Sequence, residues 1–411
     1  HLYFGFSKKI GSFTSDFPKK SKVIQNKNDM VVKRIFNIVS DIEDNSAFLF
    51  GARQTGKSTF LEHTLPDAYF IDLLDSQLRL RLQKNPSLLY EMLQDKPSGT
   101  IVVVDEIPEI PELLNEVHRL IQKKQLRFVL TGSSPRKLKR KGYNTLGGRA
   151  VPCYFFPFVS AELPDMDLDR ALFYGMLPPH YLAKKPQSLL AGYIDVYLKE
   201  EIKEEALSRN LGVFQQFMHA AALTSGEIVN YTNIASDCGV SAKTIKEYFS
   251  ILEDTLIGYM LPAYTKVNKR KVTQAPKFYF FDVGIYNYLL QRTSLAPGSP
   301  EYGHSFEHFI LQELRAYVNY THSQYKLSYW HTYNNKEIDV VVGDAQIGIE
   351  IKSTTEIQSK HLTAFKDYQD EFPKSRCIVV SRDPLSRRNG NIEIFYVFDF
   401  LKKLWAGEIF N

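Results

Sequence analysis

Residues 48–59, FLFGARQTGKST, restrict what this chain can fold into more than any other stretch. An apolar run leads into the spacing G-x-x-x-x-G-K-S, with Gly51, Gly56, Lys57 and Ser58 at the four fixed places, which is a P-loop. The glycines let backbone N–H groups curl around phosphate oxygens, and the helix that follows points its positive end at them. Gly51, Ala52, Arg53, Gln54, Thr55, Gly56, Lys57, Ser58 and Thr59 are therefore expected to cradle a nucleotide. Lys57 would reach the β- and γ-phosphates, and the Ser58 hydroxyl would ligate Mg2+. A strand that feeds such a loop and helix calls for an α/β fold.

At 411 residues the chain exceeds what one hydrophobic core holds, so several domains are expected. Its 44% hydrophobic and 24% charged content is that of an ordinary globular protein. No apolar run approaches the roughly 20 residues that cross a bilayer. Nothing at the start resembles a signal peptide, and the expectation is a cytoplasmic protein with no membrane partner. The opening HLYFGF carries no part of the functional reading. Cys153, Cys238 and Cys377 lie far apart without C-x-x-C spacing, which argues against a disulfide framework or a zinc site. A net charge of +5 permits nucleic acid without demanding it, so the distribution of charge matters more than its sum.

Along the chain, residues 26–42 alternate charge with Val, Ile and Phe and read as a helix beside the first strand. AYFIDLLD reads as a second strand and QLRLRLQKNPSLLYEML as a helix. The apolar run from Ile101 to Val104 then ends in Asp105 and Glu106. Continuous apolar strands between helices indicate a parallel sheet buried on both faces, with ligands at the carboxyl ends of its strands. Asp105 is expected there as a Mg2+ partner, and Glu106 as the group that orients or deprotonates the attacking water. LRFVLTGSS brings Thr131, Ser133 and Ser134 to the same edge, where one hydroxyl would contact the γ-phosphate; Ser133 is the chosen candidate. The segment PRKLKRK supplies Lys137, Lys139, Arg140 and Lys141, either a solvated loop or a nucleic-acid contact. Arg149 follows a Gly pair and reads either as an arginine finger toward a neighbouring subunit's nucleotide or as a surface salt-bridge residue.

The series GARQTGKST, VVVDEIPEIPELL, FVLTGSSPRKL, LGGRA, FYGMLPPHY and YLKEEIKEEALSRNLGVFQQFM resembles a bacterial and archaeal family of AAA-superfamily ATPases with an uncharacterised C-terminal domain. The resemblance implies ATP as the bound nucleotide, its hydrolysis, an AAA-type sheet with helices on both faces, and self-assembly into a homo-oligomer, a ring among the arrangements open to it. The ATPase core is expected over residues 26–160. A helical lid or linker is expected over 161–210, with Leu189, Tyr193, Val196 and Tyr197 on one side. Residues 211–294 read as a winged helix: a helix, a turn at Gly239, a second helix capped by Ser241, then two strands. On the second helix Ile245, Tyr248, Phe249 and Leu252 would be buried, leaving Lys243 and Lys246 outward as DNA contacts; Lys266, Lys269, Arg270 and Lys271 would form a basic wing tip. Such a module also serves for packing alone.

A Pro, Gly and Ser-rich boundary near 295–303 opens the last domain, 303–411. Its first helix carries Glu307 on the stripe of Ile310, Leu311, Leu314 and Val318, and an unpaired buried carboxylate is costly. In EIDVVVGDAQIGIEIKS a tight turn at 343–346 pairs Val342 with Ile347, which sets Asp339 opposite Glu350, about 5 Å apart at Cβ, with Lys352 on the same face. Two such carboxylates repel unless a cation lies between them, and Mg2+ is expected there with Glu307 as a further ligand. Lys352 would orient a hydroxide or stabilise a phosphorane. A plain hairpin, apolar inside and charged outside, is the competing interpretation. Glu307, Asp339, Glu350 and Lys352 resemble the motif of the PD-(D/E)xK, or restriction-endonuclease-like, superfamily, although Ile338 stands where that motif has Pro. The resemblance implies an α/β nuclease-like domain, whether or not it cuts. Together these features point to an ATP-driven DNA-processing protein on duplex or branched DNA. The alternatives are a helicase or branch-migration ATPase whose last domain only binds DNA, and a regulatory ATPase switch on a protein partner.

Overall fold

The computed structural model describes residues 32–136, 138, 146–198, 211–265 and 275–410. The first sheet contains β1 (Ser46–Phe50), β2 (Tyr69–Asp72), β3 (Ile101–Asp105), β4 (Arg127–Gly132) and β5 (Ala150–Tyr154), all parallel, in the order β2-β3-β4-β1-β5. Strand periodicity splits β1 between two cores. Ala47 and Leu49 join Phe60 and Leu61 of the helix Lys57–Thr64, whereas Phe48 and Phe50 join Leu113, Val117 and Leu120 of the helix Leu113–Lys124. This is the parallel sheet covered on both faces that the apolar strands called for.

Three local expectations are corrected. Of the helix expected over 26–42, residues 26–31 lie outside the described residues, 32–37 are not helical, and among the described residues only Ile38–Asp41 forms a helical turn. Burial alternates through this segment, with Phe36 and Ile38 inside and Ile35 and Val39 outside, a strand-like period that the mixture of charge and apolar residues disguised. The stretch after β2 forms two helices, Ser76–Lys84 and Leu88–Leu93, because Pro86 cannot continue the first one. In the 161–210 region, short helices Leu168–Tyr174, Pro178–Leu182 and Pro186–Gly192 lead into a π-helical run, Tyr193–Leu198. Leu189 is exposed, while Leu190, Tyr193 and Ile194, spaced i, i+3 and i+4, form the buried face.

Arg34, in the non-helical segment, ties the start of the parallel sheet to its surroundings. Its Nε donates to Glu162 Oε2 at 2.8 Å, Nη1 to Thr55 O at 2.8 Å and Nη2 to Phe156 O at 2.8 Å, and the guanidinium lies 4.1 Å from the Phe155 ring centre. Both partners of the ion pair are nearly inaccessible, at 6% and 0% side-chain exposure. Removing one member of a buried pair strands the other charge, so Arg34→Met is expected to lower stability by about 3–5 kcal/mol in denaturant titration. A loss below about 1 kcal/mol would contradict this account of the pair.

The middle of the chain contains helices Leu211–Leu223, Tyr231–Cys238 and Ala242–Asp254, followed by the antiparallel pair β6 (Gly258–Leu261) and β7 (Lys277–Phe280). Gly239 turns the chain between the last two helices at φ 65°, and Ser241 Oγ accepts from Thr244 N at 3.1 Å. Ile245, Phe249 and Leu252 face the core of this region with Phe278 and Phe280 of β7.

The last region runs from the helix Pro300–Tyr320 through β8 (Leu327–His331), β9 (Glu337–Val342) and β10 (Ile347–Lys352) to the helix Thr363–Glu371. It continues through β11 (Arg376–Ser381), β12 (Arg387–Asn389) and β13 (Ile392–Tyr396) to the helix Val397–Trp405. Its six strands form one mixed sheet in the order β12-β13-β11-β10-β9-β8. Glu313 joins this region to the segment that follows β5, accepting from Ser160 N at 2.7 Å, Ser160 Oγ at 2.8 Å and Trp405 Nε1 at 2.7 Å. Burial pushes its carboxyl up to about 7, against the lowering effect of those donors.

Candidate functional site

The P-loop bends between β1 and the helix Lys57–Thr64, at the carboxyl edge of the parallel sheet. Gly56 adopts φ 89° immediately before the helix, and a Cβ at Gly51 would come within 2.5 Å of Phe155 O, so glycine is required at both places. Lys57 Nζ donates to Gly51 O at 2.6 Å and Ala52 O at 3.2 Å. Ser58 Oγ donates to Asp105 Oδ2 at 2.6 Å, and Thr131 Oγ1 donates to the other oxygen of the same carboxylate. A hydroxyl and a carboxylate converging from two elements are a suitable donor set for Mg2+. Glu106 stands in the left-handed region at φ 61°, and its Oε1 accepts from Ser133 N at 3.1 Å and Ser133 Oγ at 2.7 Å. The structure thus brings Lys57, Ser58, Asp105, Glu106, Thr131 and Ser133 to one edge. Behind the loop, a cavity of about 240 Å³ is walled by Gly51, Ala52, Thr55, Tyr259 and Arg315, among others.

Immediately beyond Ser133, the chain docks on the middle region. Ser134 Oγ donates to Asp254 O at 3.0 Å, and Arg136 Nη1 meets Asp254 Oδ2 at 2.7 Å. The end of the helix Ala242–Asp254 is therefore fastened to the strand end that carries Ser133.

Arg149 is exposed just before β5, at the opposite end of the sheet from the P-loop, because Ser46 pairs with Ala150 and Phe50 with Tyr154. Five parallel residues separate those ends by roughly 15 Å. The side chain does not span that distance, so an arginine-finger role toward the same chain's nucleotide is excluded. Lys243 and Lys246 are exposed on the helix Ala242–Asp254, with Lys246 Nζ 5.2 Å from the Tyr231 ring centre. Lys137, Lys139, Arg140 and Lys141, and the wing-tip set Lys266, Lys269, Arg270 and Lys271, lie outside the described residues.

In the last region the hairpin has the expected register, Ile347 opposite Val342, and its ladder continues to Ile349 opposite Val340. Asp339 and Glu350 follow at the same end, both buried. Asp339 Oδ2 accepts from Ile351 N at 2.6 Å. Lys352 Nζ lies 2.5 Å from Glu350 Oε1 and 3.7 Å from Asp339 Oδ2, so the cation between the two carboxylates is an ammonium. Glu350 Oε2 is buried with no hydrogen-bond partner. Burial, reinforced by Asp339 and opposed by Lys352, pushes Glu350 up to about 8. Burial works against the charge on Lys352, but Asp339 and Glu350 outweigh it and hold the ammonium protonated.

Glu307 does not join Asp339 and Glu350 as a third ligand. It accepts from Tyr279 Oη at 2.6 Å and lies 3.9 Å from Lys277 Nζ, which also pairs with Glu337. Burial, partly offset by Lys277, pushes Glu307 up to about 7. Among the described residues no three His, Cys, Asp or Glu side chains converge on one metal position. The expected three-carboxylate set is thus divided: Asp339 and Glu350 share Lys352, whereas Glu307 shares Lys277 with Glu337. Lys277, Tyr279 and Glu337 were missed in the sequence; the available signal was a lysine heading the apolar strand KFYF, where a charge needs a partner.

Residues 43–163 match the model of an AAA domain, which supports a P-loop ATPase of the AAA class in this part of the chain. Residues 165–296 match a domain of unknown function (DUF8612), and residues 302–398 match another (DUF4143). No curated protein matches the chain. No helix among the described residues is long and apolar enough to cross a membrane.

Proposed function

We propose that the chain hydrolyses ATP and processes DNA. In this reading the nucleotide state of the 26–160 ATPase core, with its 161–210 lid, adjusts how a winged helix at 211–294 holds duplex or branched DNA. A Mg2+-dependent, nuclease-like domain at 303–411 acts on phosphodiesters. The observation that carries the last part is Glu350 Oε2, a buried carboxylate oxygen without a partner beside Asp339 and Lys352. The order of elements from Pro300 to Ser381, helix, three strands, helix and strand, agrees with the resemblance to the PD-(D/E)xK superfamily. Asp339 and Glu350 would hold Mg2+, which supplies positive charge for a phosphodiester under attack. Lys352, half-buried at their edge, would orient the attacking hydroxide or steady the phosphorane. Exposed Lys243 and Lys246 support DNA contact through phosphates rather than base edges. A homo-oligomer in which one copy's Arg149, exposed on this chain, reaches the next copy's nucleotide completes this reading.

A second form of this reading, in which the last domain grips DNA without cutting, is favoured by the lysines already set against both carboxylate pairs. ATPase assays with and without linear, forked and four-way DNA, together with Mg2+-dependent cleavage assays, separate the two forms. Absence of both DNA binding and DNA-stimulated hydrolysis would contradict both.

The pH dependence follows from Glu307 and Glu350, whose carboxyls hold protons more tightly in the native chain than at their ordinary value of 4.5. Their contribution to metal-free stability is full below that value and is lost as pH rises through about 7 and about 8. Mn2+ requires the ionised carboxylate, so its affinity is expected to climb over the same interval and level off above pH 8. Calorimetric titration without nucleotide at several pH values checks this; a flat affinity from pH 6 to 9 contradicts it.

A further inference from the structure

The carboxylate cluster of the last domain is not closed by that domain alone. Lys277 and Tyr279, two positions apart and therefore on one face of β7, reach into it from the middle region. Lys277 is 3% exposed, and a cation so buried is tolerated only when paired. It is paired twice, with Glu307 from the helix Pro300–Tyr320 and with Glu337 from β9, while Tyr279 Oη donates to the same Glu307 oxygen. The other pair, Asp339 and Glu350, has Lys352 at its half-buried edge and retains the unpartnered Glu350 Oε2. Two carboxylate pairs therefore lie side by side, one sealed by a buried ammonium from another region and one with an acceptor still to fill.

We propose that Lys277 stands in the place of a second divalent cation, so that the cluster takes one metal ion, at Asp339 and Glu350, instead of two. This rests on reading the cluster as a metal site. Glu307 and Glu337 form the second subsite, whose ligand class is a divalent cation of the Mg2+ or Mn2+ kind, and β7 keeps it filled with an ammonium. The middle region thereby sets how many ions the last domain holds. Lys277 is a positioning residue: it acts on phosphodiester chemistry only through the carboxylates it neutralises.

The test is Mn2+ titration of the nucleotide-free full chain at pH 8, by calorimetry and electron paramagnetic resonance, with wild type, Lys277→Met, Lys277→Arg and Asp339→Asn. Lys277→Met is expected to bind one more Mn2+ per chain than wild type, at least about tenfold tighter than any secondary binding to wild type. Lys277→Arg, which keeps the cation, is expected to bind as wild type does. The additional ion in Lys277→Met is expected to survive the further change Asp339→Asn. Equal stoichiometry in wild type and Lys277→Met overturns the proposal, whatever wild type itself binds. The metal reading is judged separately, by whether Asp339→Asn removes the ion that wild type holds. If Lys277→Met is unstable because Glu307 and Glu337 are left facing each other, Mn2+ is expected to raise its melting temperature more than that of wild type, and failure of Mn2+ to do so also overturns the proposal.

Discussion

Lys57→Ala is expected to slow ATP hydrolysis on the order of 10³-fold, which corresponds to about 4 kcal/mol of lost transition-state stabilisation. The ammonium is held nearly buried against Gly51 O and Ala52 O, at the mouth of the loop whose backbone would receive the phosphates. Little covalent work falls to the protein in phosphoryl transfer, so positioned positive charge supplies much of the rate. The substitution also strips a donor from two backbone carbonyls, and a stability loss of about 1–3 kcal/mol accompanies it. Phosphate release and thermal unfolding, measured on the same preparation, separate the two effects. Hydrolysis within about tenfold of wild type would remove Lys57 from the catalytic account.

The second large effect belongs to the hairpin. Asp339→Asn retains an acceptor for Ile351 N and nearly the same volume, so it removes charge with little disturbance of β9 and β10. If the proposed cutting form holds, Mg2+-dependent cleavage is expected to fall to background in this variant, while the proposed DNA-stimulated ATP hydrolysis persists. Asp339→Ala is expected to abolish cleavage as well, but it also leaves Ile351 N without its partner. Agreement between the two variants would attribute the loss to the missing charge rather than to local unfolding. Cleavage that persists in Asp339→Asn would refute the assignment of the metal site.

The features that could be read along the chain are those whose geometry depends on neighbours in sequence. The glycines of 51–56, the acidic pair closing β3 and the turn at 343–346 each combine a fixed spacing with a local backbone requirement, and all three are seen where they were expected. What escaped depends on partners far away. The segment around Arg34 reads as helix because its charges and apolar residues suit either period; contacts with Glu162, Thr55 and Phe156 hold it extended. Glu307 sits on the long helix as expected, but whether it faces a metal or a lysine is decided by β7, 28 residues earlier, and nothing local to either segment announces the meeting. Glu313, farther along the same helix, could not be told from a surface acid until Ser160 and Trp405 closed on it.

The joint between Asp254 and the strand end carrying Ser133 also constrains energetics. One end of the helix Ala242–Asp254 is held by Ser134 and Arg136, and the β6–β7 pair that follows it delivers Lys277 to the last domain. Linkage through such a shared element is reciprocal: if nucleotide shifts its position and thereby changes metal affinity by some factor, metal must change nucleotide affinity by that same factor. A measured asymmetry between those two equilibrium factors would mean that a further state of the chain had been left out of the cycle.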